Sequence, residues 1–388
     1  ELPGSIRFAP ADQQIRLAYF VPNDREPIAH YEQKIRVVMQ VVADVYKDLS
    51  QQGLRGAGFS FQTNSQGEPI VHLIRGDKPA QYYNDAPAYD ESKHYLKIDD
   101  EIPGEVGSSL RHMIVLFPET YEPGPAPVEW RGSVGRGAHI STDGGLAMMS
   151  AWILRDEFCA TSYAEQKKLI LDAKPILGRT SFGTRELDAP RFEFIEDGFG
   201  AAAHELGHAL GLPHDMRDPN DIMGQGFREL RVNYLPPSAK KARLTFSKEN
   251  ARLLGVSRYL VPATDRTDNS PPTAEIAFRV SSGRTPNLVV SMQATDDREL
   301  RAAVFYDPQN DTVIGGAELK GKSQAVELKL PVNANSPVGL NLATMLARAL
   351  KTGAASGNGG RDGGIHLLTY LADAGGNIAV ISTAVRAR

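Results

Sequence analysis

The sequence predicts an α+β protein in which a mixed sheet carrying helices is followed by a small antiparallel β-sandwich. Three observations lead there. Ile28, Ile35, Val38, Val42, Val45 and Leu49 recur mostly at three- and four-residue spacing, the periodicity of one helix face, and strand-like runs stand on either side of them. The stretch VPATDRTDNSPPT at 261–273 has the Pro, Asp, Asn and Ser content of a linker. Beyond it the texture changes to short alternating runs separated by turn residues. The boundaries that follow are 1–262 for the first domain, 263–272 for the linker and 273–388 for the sandwich.

Taken in order, residues 15–21 (IRLAYFV) have the β-branched and aromatic content of a strand. The long helix covers 28–52, and Gly53 ends it. Strands are expected at 70–74 (IVHLI) and 112–117 (HMIVLF), separated by a surface insertion rich in Tyr, Asp and Pro. GRGAHISTDGGLAMMSAWIL supplies two further strands about the turn signal Thr142-Asp143-Gly144-Gly145. A second insertion spans 155–197, with a helix near 163–172. The Ala- and Leu-rich stretch from Asp197 is helical, with Asp197 or Gly198 as its cap, and a last helix follows Ser247. In the sandwich the runs AEIAFRV, NLVVSMQA, RAAVFYD, AVELKLP, IHLLTYLA and NIAVISTAV read as strands. They are interrupted by a helical pattern at 340–352 and by the loop GAASGNGGRDGG, which lacks the Gly-Lys-Ser/Thr ending of a phosphate cradle.

Composition narrows the function classes. A net charge of −4 gives no electrostatic reason to expect nucleic acid or an anionic membrane as a partner. No run reaches the roughly 20 apolar residues of a membrane span. The single cysteine, Cys159, excludes an internal disulfide and argues against a thiolate metal site. The opening ELPGSIRFAP lacks the regions of a signal peptide, so the expectation is either a cytosolic protein or one whose leader is absent from this sequence.

Chemistry concentrates at 204–215, HELGHALGLPHD. On a helix His204 and His208 share one face, with Cβ atoms roughly 5–6 Å apart, and two imidazoles so placed can hold one zinc ion. On a continuing helix His214 would point about 240° away from His208, so the helix has to stop first. Gly211 can take the left-handed conformation that ends helices, and Pro213 cannot propagate one. The released chain then returns His214 to the metal, leaving a fourth tetrahedral position open. Glu205, about 100° around the helix from His204, stands beside the metal as a general base rather than on it. A bare H-E-x-x-H arises by accident in roughly one such chain in a hundred; Gly211 and His214 lower that to roughly a few in a hundred thousand.

These residues resemble the H-E-x-x-H-x-x-G-x-x-H signature of the metzincin zinc endopeptidases, with Asp215 after the third His. The resemblance implies a methionine in a tight turn below the metal, and DPNDIMGQG offers Met223; the short separation from His214 is most similar to the matrixin and adamalysin-like branches. It covers roughly 15–260, apart from the insertion at 155–197. It also implies that GRGAHIS, with Gly137, Ala138 and His139, is the edge strand that pairs with an extended substrate, His139 being a rim residue. Where some metzincins carry a tyrosine two residues after the methionine, this chain has Gln225; Tyr234, further on, serves as a pocket wall or in packing. NSPPTAEI, ATDDRELRAAVFY and YLADAGGNIAVIS resemble bacterial Ig-like or fibronectin-like repeats. There Asp296, Asp297 and Asp373 can hold Ca²⁺, although turn formation is the commoner role of such aspartates.

The expectation is a secreted or surface zinc endopeptidase acting on protein or peptide substrates, with an Ig-like accessory domain. Its rivals are a binding or adhesion protein with an idle zinc, which would have no use for Glu205, and a zinc hydrolase of a non-peptide amide. Natural substrate, latency and oligomeric state are not encoded in any motif present.

Overall fold

The computed structural model describes residues 14–47, 58–84, 96–122, 132, 135–239, 241–261, 264–281, 287–331 and 366–386. The expected helix at 340–352 and the glycine loop after it lie outside these residues, as do the start of the chain and residues 85–95 of the first insertion. The chain divides into two compact units. The first comprises 1–212, 220–245 and 259–262; the second comprises 213–219, 246–258 and 263–388.

The first unit holds a five-stranded sheet of β1 (Arg16–Val21), β2 (Val71–Arg75), β3 (Met113–Pro118), β4 (Gly135–Ser141) and β5 (Gly144–Met149), in the order β2-β1-β3-β5-β4. Neighbours run parallel except β4, which pairs antiparallel with β5. Parallel strands need both faces covered, which is why β1 and β3 are nearly continuous apolar runs. Ala18, Phe20, Ile114 and Leu116 lie in one core with Leu146 and Met148, while the alternate residues Leu17, Tyr19, Val115 and Phe117 are buried as well. Helix α1 (Tyr31–Lys47) buries Ile35, Val38, Val42 and Val45, the stripe expected from the sequence, but starts three residues after Ile28. His30, just before it, has a positive φ of 59°. Short helix α2 (Ala80–Asn84) follows β2. In the second insertion α3 (Tyr163–Ile170) is capped by Ser162, which accepts from Glu165 N.

One boundary moves. The helix expected from Asp197 begins six residues earlier, with α4 (Arg191–Ile195) following Pro190; it then passes through one π turn, Glu196–Gly200, into α5 (Ala201–Ala209). Asp197 is therefore inside the helical run and does not cap it. Its carboxylate reaches sideways to Phe182 N, Gly183 N and Arg228 Nη1 at 2.7, 3.0 and 2.6 Å.

The second unit contains α6 (Lys248–Leu254), capped by Ser247 as expected, and seven strands: β6 (Thr273–Val280), β7 (Asn287–Thr295), β8 (Leu300–Asp307), β9 (Thr312–Glu318), β10 (Ser323–Pro331), β11 (His366–Asp373) and β12 (Ile378–Arg386). Two separate sheets were expected. Instead the strands form one hydrogen-bonded order, β10-β7-β6-β12-β11-β8-β9, in which a three-stranded and a four-stranded antiparallel part join through a short parallel pairing of β12 with β6. Both parts share one core, with Phe278, Val290 and Met292 beside Phe305, Leu367 and Leu371. Burying side chains of this size stabilises by about 1.5–3 kcal/mol each. The Pro-rich stretch read as a linker is hydrogen-bonded inside this unit, Asp265 N donating to Ala374 O at 3.0 Å. Among the described residues no helix is long and apolar enough to cross a membrane.

Candidate metal centre

Glycines allow the helical run to lie close to its neighbours. A Cβ on Gly200 would stand 1.9 Å from Phe227 O, and one on Gly198 2.3 Å from Ile153 Cγ2. Two interior glycines cost a helix roughly 0.5–1 kcal/mol each, so their presence marks close packing rather than helix propensity. At the other end α5 stops where Gly211 turns to φ 90°, with Gly211 N donating to His208 O and Leu212 N to Gly207 O at 2.9 and 3.0 Å.

His204, His208 and His214 each offer one ligand atom, and the three atoms lie within 4.8 Å of one another. Each ring uses Nδ1 for a different anchor. His204 Nδ1 faces Ile222 O at 2.7 Å, His208 Nδ1 faces Leu212 O at 2.8 Å, and His214 Nδ1 faces Asp311 Oδ2 at 2.7 Å. With Nδ1 so engaged as donor, Nε2 keeps a lone pair. The Nε2 atoms of His204 and His208 are 3.1 Å apart, near the roughly 3.3 Å that separates two nitrogens on a tetrahedral zinc with bonds of about 2.0–2.1 Å. Donor type, spacing and outer anchors all fit a zinc ion.

Asp311 comes from the β8–β9 turn, where it has a φ of 52°, and its other oxygen accepts from the Tyr306 hydroxyl. Burial and this carboxylate push the Tyr306 phenol upward, so it remains a donor. The strand after Asp311 holds the backbone beside His214: Val313 N donates to His214 O, and Met216 N to Thr312 Oγ1, both at 2.9 Å.

Glu205 is half-buried and lies outside the three-histidine group, on the side of α5 that meets β4. A Cβ on Gly135 would be 3.1 Å from Glu205 Oε1, and one on Gly137 would be 1.9 Å from Glu205 O and 2.7 Å from His208 Cβ. Gly137 is thus needed for the strand to touch the helix. β4 is at the sheet edge, with Ala138 opposite Leu146 and His139 opposite Gly145; burial holds the His139 imidazole below its ordinary value.

Met223 is fully buried in a turn closed by Gly224 N and Gly226 N on Asp221 O, both at 3.0 Å, while Asp221 Oδ1 accepts from Met223 N at 2.7 Å. Its sulfur lies under α5, where a Cβ on Gly207 would come within 2.3 Å. The same turn presents Ile222 O to His204, so turn and ligand are tied together. Gln225 is exposed just after it. Tyr234 sits beside Asp44 of α1, where burial and that carboxylate push its phenol upward.

Sequence reasoning missed Phe227, whose ring is 4.9 Å from that of His204, and Asp311. Neither belongs to a local motif. It also gave the acidic group as Asp296, Asp297 and Asp373, whereas the structure gathers Asp268, Asp296 and Asp373.

No protein-family profile matches this chain, and no curated protein does. Solved structures do match. A catalytically inactive OgpA from Akkermansia muciniphila in complex with an O-glycopeptide (glycodrosocin) substrate aligns with a TM-score of 0.60 at 16% identity, covering 98% of this chain and 95% of that one. Two crystal forms of wild-type OgpA align with TM-scores of 0.58 and 0.59 at 15% and 16% identity, covering 98% of this chain and 96% and 94% of theirs. These matches are to OgpA and not to matrixins or adamalysins, so an OgpA-like fold replaces the branch read from the short His214–Met223 separation.

Proposed function

We propose that the chain is a zinc-dependent peptidase that hydrolyses peptide bonds in protein or peptide substrates, with O-glycosylated peptides as the first class to test. The observation carrying this is the set of three imidazoles gathered around one point, each anchored through Nδ1, with a glutamate beside them. Likeness to a fold that binds an O-glycopeptide supports the substrate class.

His204, His208 and His214 would hold the ion, and Met223 would support the floor beneath α5. A zinc ion held there supplies Lewis acidity toward a peptide carbonyl and toward water. Glu205 takes the proton of the attacking water on its carboxylate and returns it to the leaving amine. The free edge of β4, at Gly137, Ala138 and His139, pairs with the extended substrate through backbone hydrogen bonds. The Gly135 and Gly137 contacts hold that edge against the residue doing proton transfer, which orients substrate and base together.

The test is metal analysis of the purified chain together with mass-spectrometric cleavage of a matched pair of peptides, one O-glycosylated and one bare. The reading expects about one zinc per chain and hydrolysis of a peptide bond. Zinc binding with no cleavage of peptide or protein would favour an idle binding protein, and cleavage of non-peptide amides alone would favour the other hydrolase.

A further inference from the structure

We propose that the second unit binds one Ca²⁺ ion through Asp268, Asp296 and Asp373. Each carboxylate puts one oxygen within 4.8 Å of the other two. Oxygens on opposite sides of a calcium ion with bonds of about 2.3–2.6 Å are about 4.6–5.2 Å apart, so the three can surround one ion.

An acidic cluster alone would not carry this. Asp268 is 1% exposed, and its Oδ2 is buried with no hydrogen-bond donor, although Oδ1 accepts from Ser270 N at 3.2 Å. Asp296 repeats the pattern: Oδ1 accepts from Arg298 N and Glu299 N at 2.8 and 2.7 Å, and the buried Oδ2 accepts from no donor. Buried, unpaired carboxylate oxygens are costly unless a cation meets them. Arg298 pairs with Asp265, and Arg258 donates to the main-chain oxygens of Gly375 and Asp268. Asp373 is fully buried, its oxygens accepting from Asn377 N and Nδ2 at 2.9 and 2.8 Å.

All-oxygen, triply anionic donors select a hard cation. Magnesium demands strict octahedral geometry and gives up its waters reluctantly, so calcium, with its flexible coordination by protein oxygens, is the better match to three clustered carboxylates. The ion would join the segment leading into β6, the β7–β8 turn and the β11–β12 hairpin.

The experiment is equilibrium dialysis of the full zinc-loaded chain against ⁴⁵Ca²⁺ after metal removal from the buffer, with thermal melts in parallel. The expected result is one calcium per chain, not displaced by equimolar Mg²⁺, and a rise in Tm of about 5 °C at a hundredfold excess over Kd. Asp296→Asn should weaken binding tenfold or more, Asp268→Asn should abolish it, and Asp297→Asn should leave it unchanged. Asp296 is half-buried, so its variant serves if the Asp268 variant fails to fold. Absence of bound calcium at 1 mM (an order-of-magnitude ceiling for such sites), or binding indifferent to Asp296→Asn, overturns the proposal.

Discussion

The histidine group and the aspartate group are both candidate cation sites, and they are built in opposite ways. The histidines come from one short stretch, 204–214, where helix period and a glycine stop dictate their meeting. The aspartates come from three connections far apart in sequence, brought together only when the strands of the second unit pair. The first site offers imidazole nitrogens, each ring with an outer anchor, whereas the second offers acidic oxygens, two of them buried without a donor. In the first, the helix itself brings His204 and His208 together, and only His214 has to be returned to them by the turn at Gly211.

The largest effect that can break the comparison is at Glu205. Glu205→Gln should retain about one zinc per chain and lose about 10²–10⁴-fold in kcat/KM, the usual size of a general acid–base contribution; cleavage at the wild-type rate would end the proposed mechanism. His208→Ala should lose zinc and activity together, since metal binding and folding are coupled.

Next comes Asp311. Asp311→Asn preserves the positive φ, which Asn tolerates, and removes the charge facing His214, so zinc affinity should fall about 10–100-fold while the melt stays close to wild type. Competition with a zinc chelator measures this directly. The same contact bears on the boundary near residue 262. A chain ending there keeps His204, His208 and His214 but lacks Asp311, Thr312 and Val313, and we expect it to bind zinc more weakly than the full chain.

A smaller effect is expected at Gly137. Gly137→Ala must push β4 away from α5 and should cost about 1–3 kcal/mol, seen as a lower Tm, with a rise in KM if the strand aligns substrate.

The smallest effect sharpens the contrast in charge. The carboxyl of Asp373 lies at about 6 in the folded protein, above its ordinary 3.8, so the folded state holds the proton more tightly. Its contribution is fully present below about pH 3.8 and is lost as pH rises through 6. Calcium-free protein should therefore lose stability across that window, and Asp373→Asn should flatten the loss while removing stabilisation by calcium. Melts at pH 4, 5, 6 and 7 (chosen to bracket roughly the two values), with and without Ca²⁺, read both.

What could be read in the sequence follows the same division. The i,i+4 geometry of His204 and His208, the Gly211 stop, the β4–β5 turn and the stripe on α1 are local, and each appears where the periodicity put it. Asp311 meets His214 through a turn of another strand pair, and no spacing rule connects them. Asp268 was hidden by its setting, because Pro, Asn and Ser around it read as a linker while the structure hydrogen-bonds that stretch into the unit. The π turn at Glu196–Gly200 escaped because two glycines and two acids argue against a helix interior, yet the close approaches at Gly198 and Gly200 are satisfied only by running the helix through them. Gly137 was visible, but its reason, a neighbouring carbonyl, was not.

The three imidazole anchors differ in one respect that bears on how such a site can evolve. Ile222 O and Leu212 O are main-chain atoms, identical whatever side chain occupies those positions, so point mutation cannot directly remove them. Asp311 is a side chain, and a single base change can replace it. If the site holds a metal, heritable tuning of its retention has an accessible dial on this partly exposed turn, one that leaves the candidate ligands and Glu205 untouched.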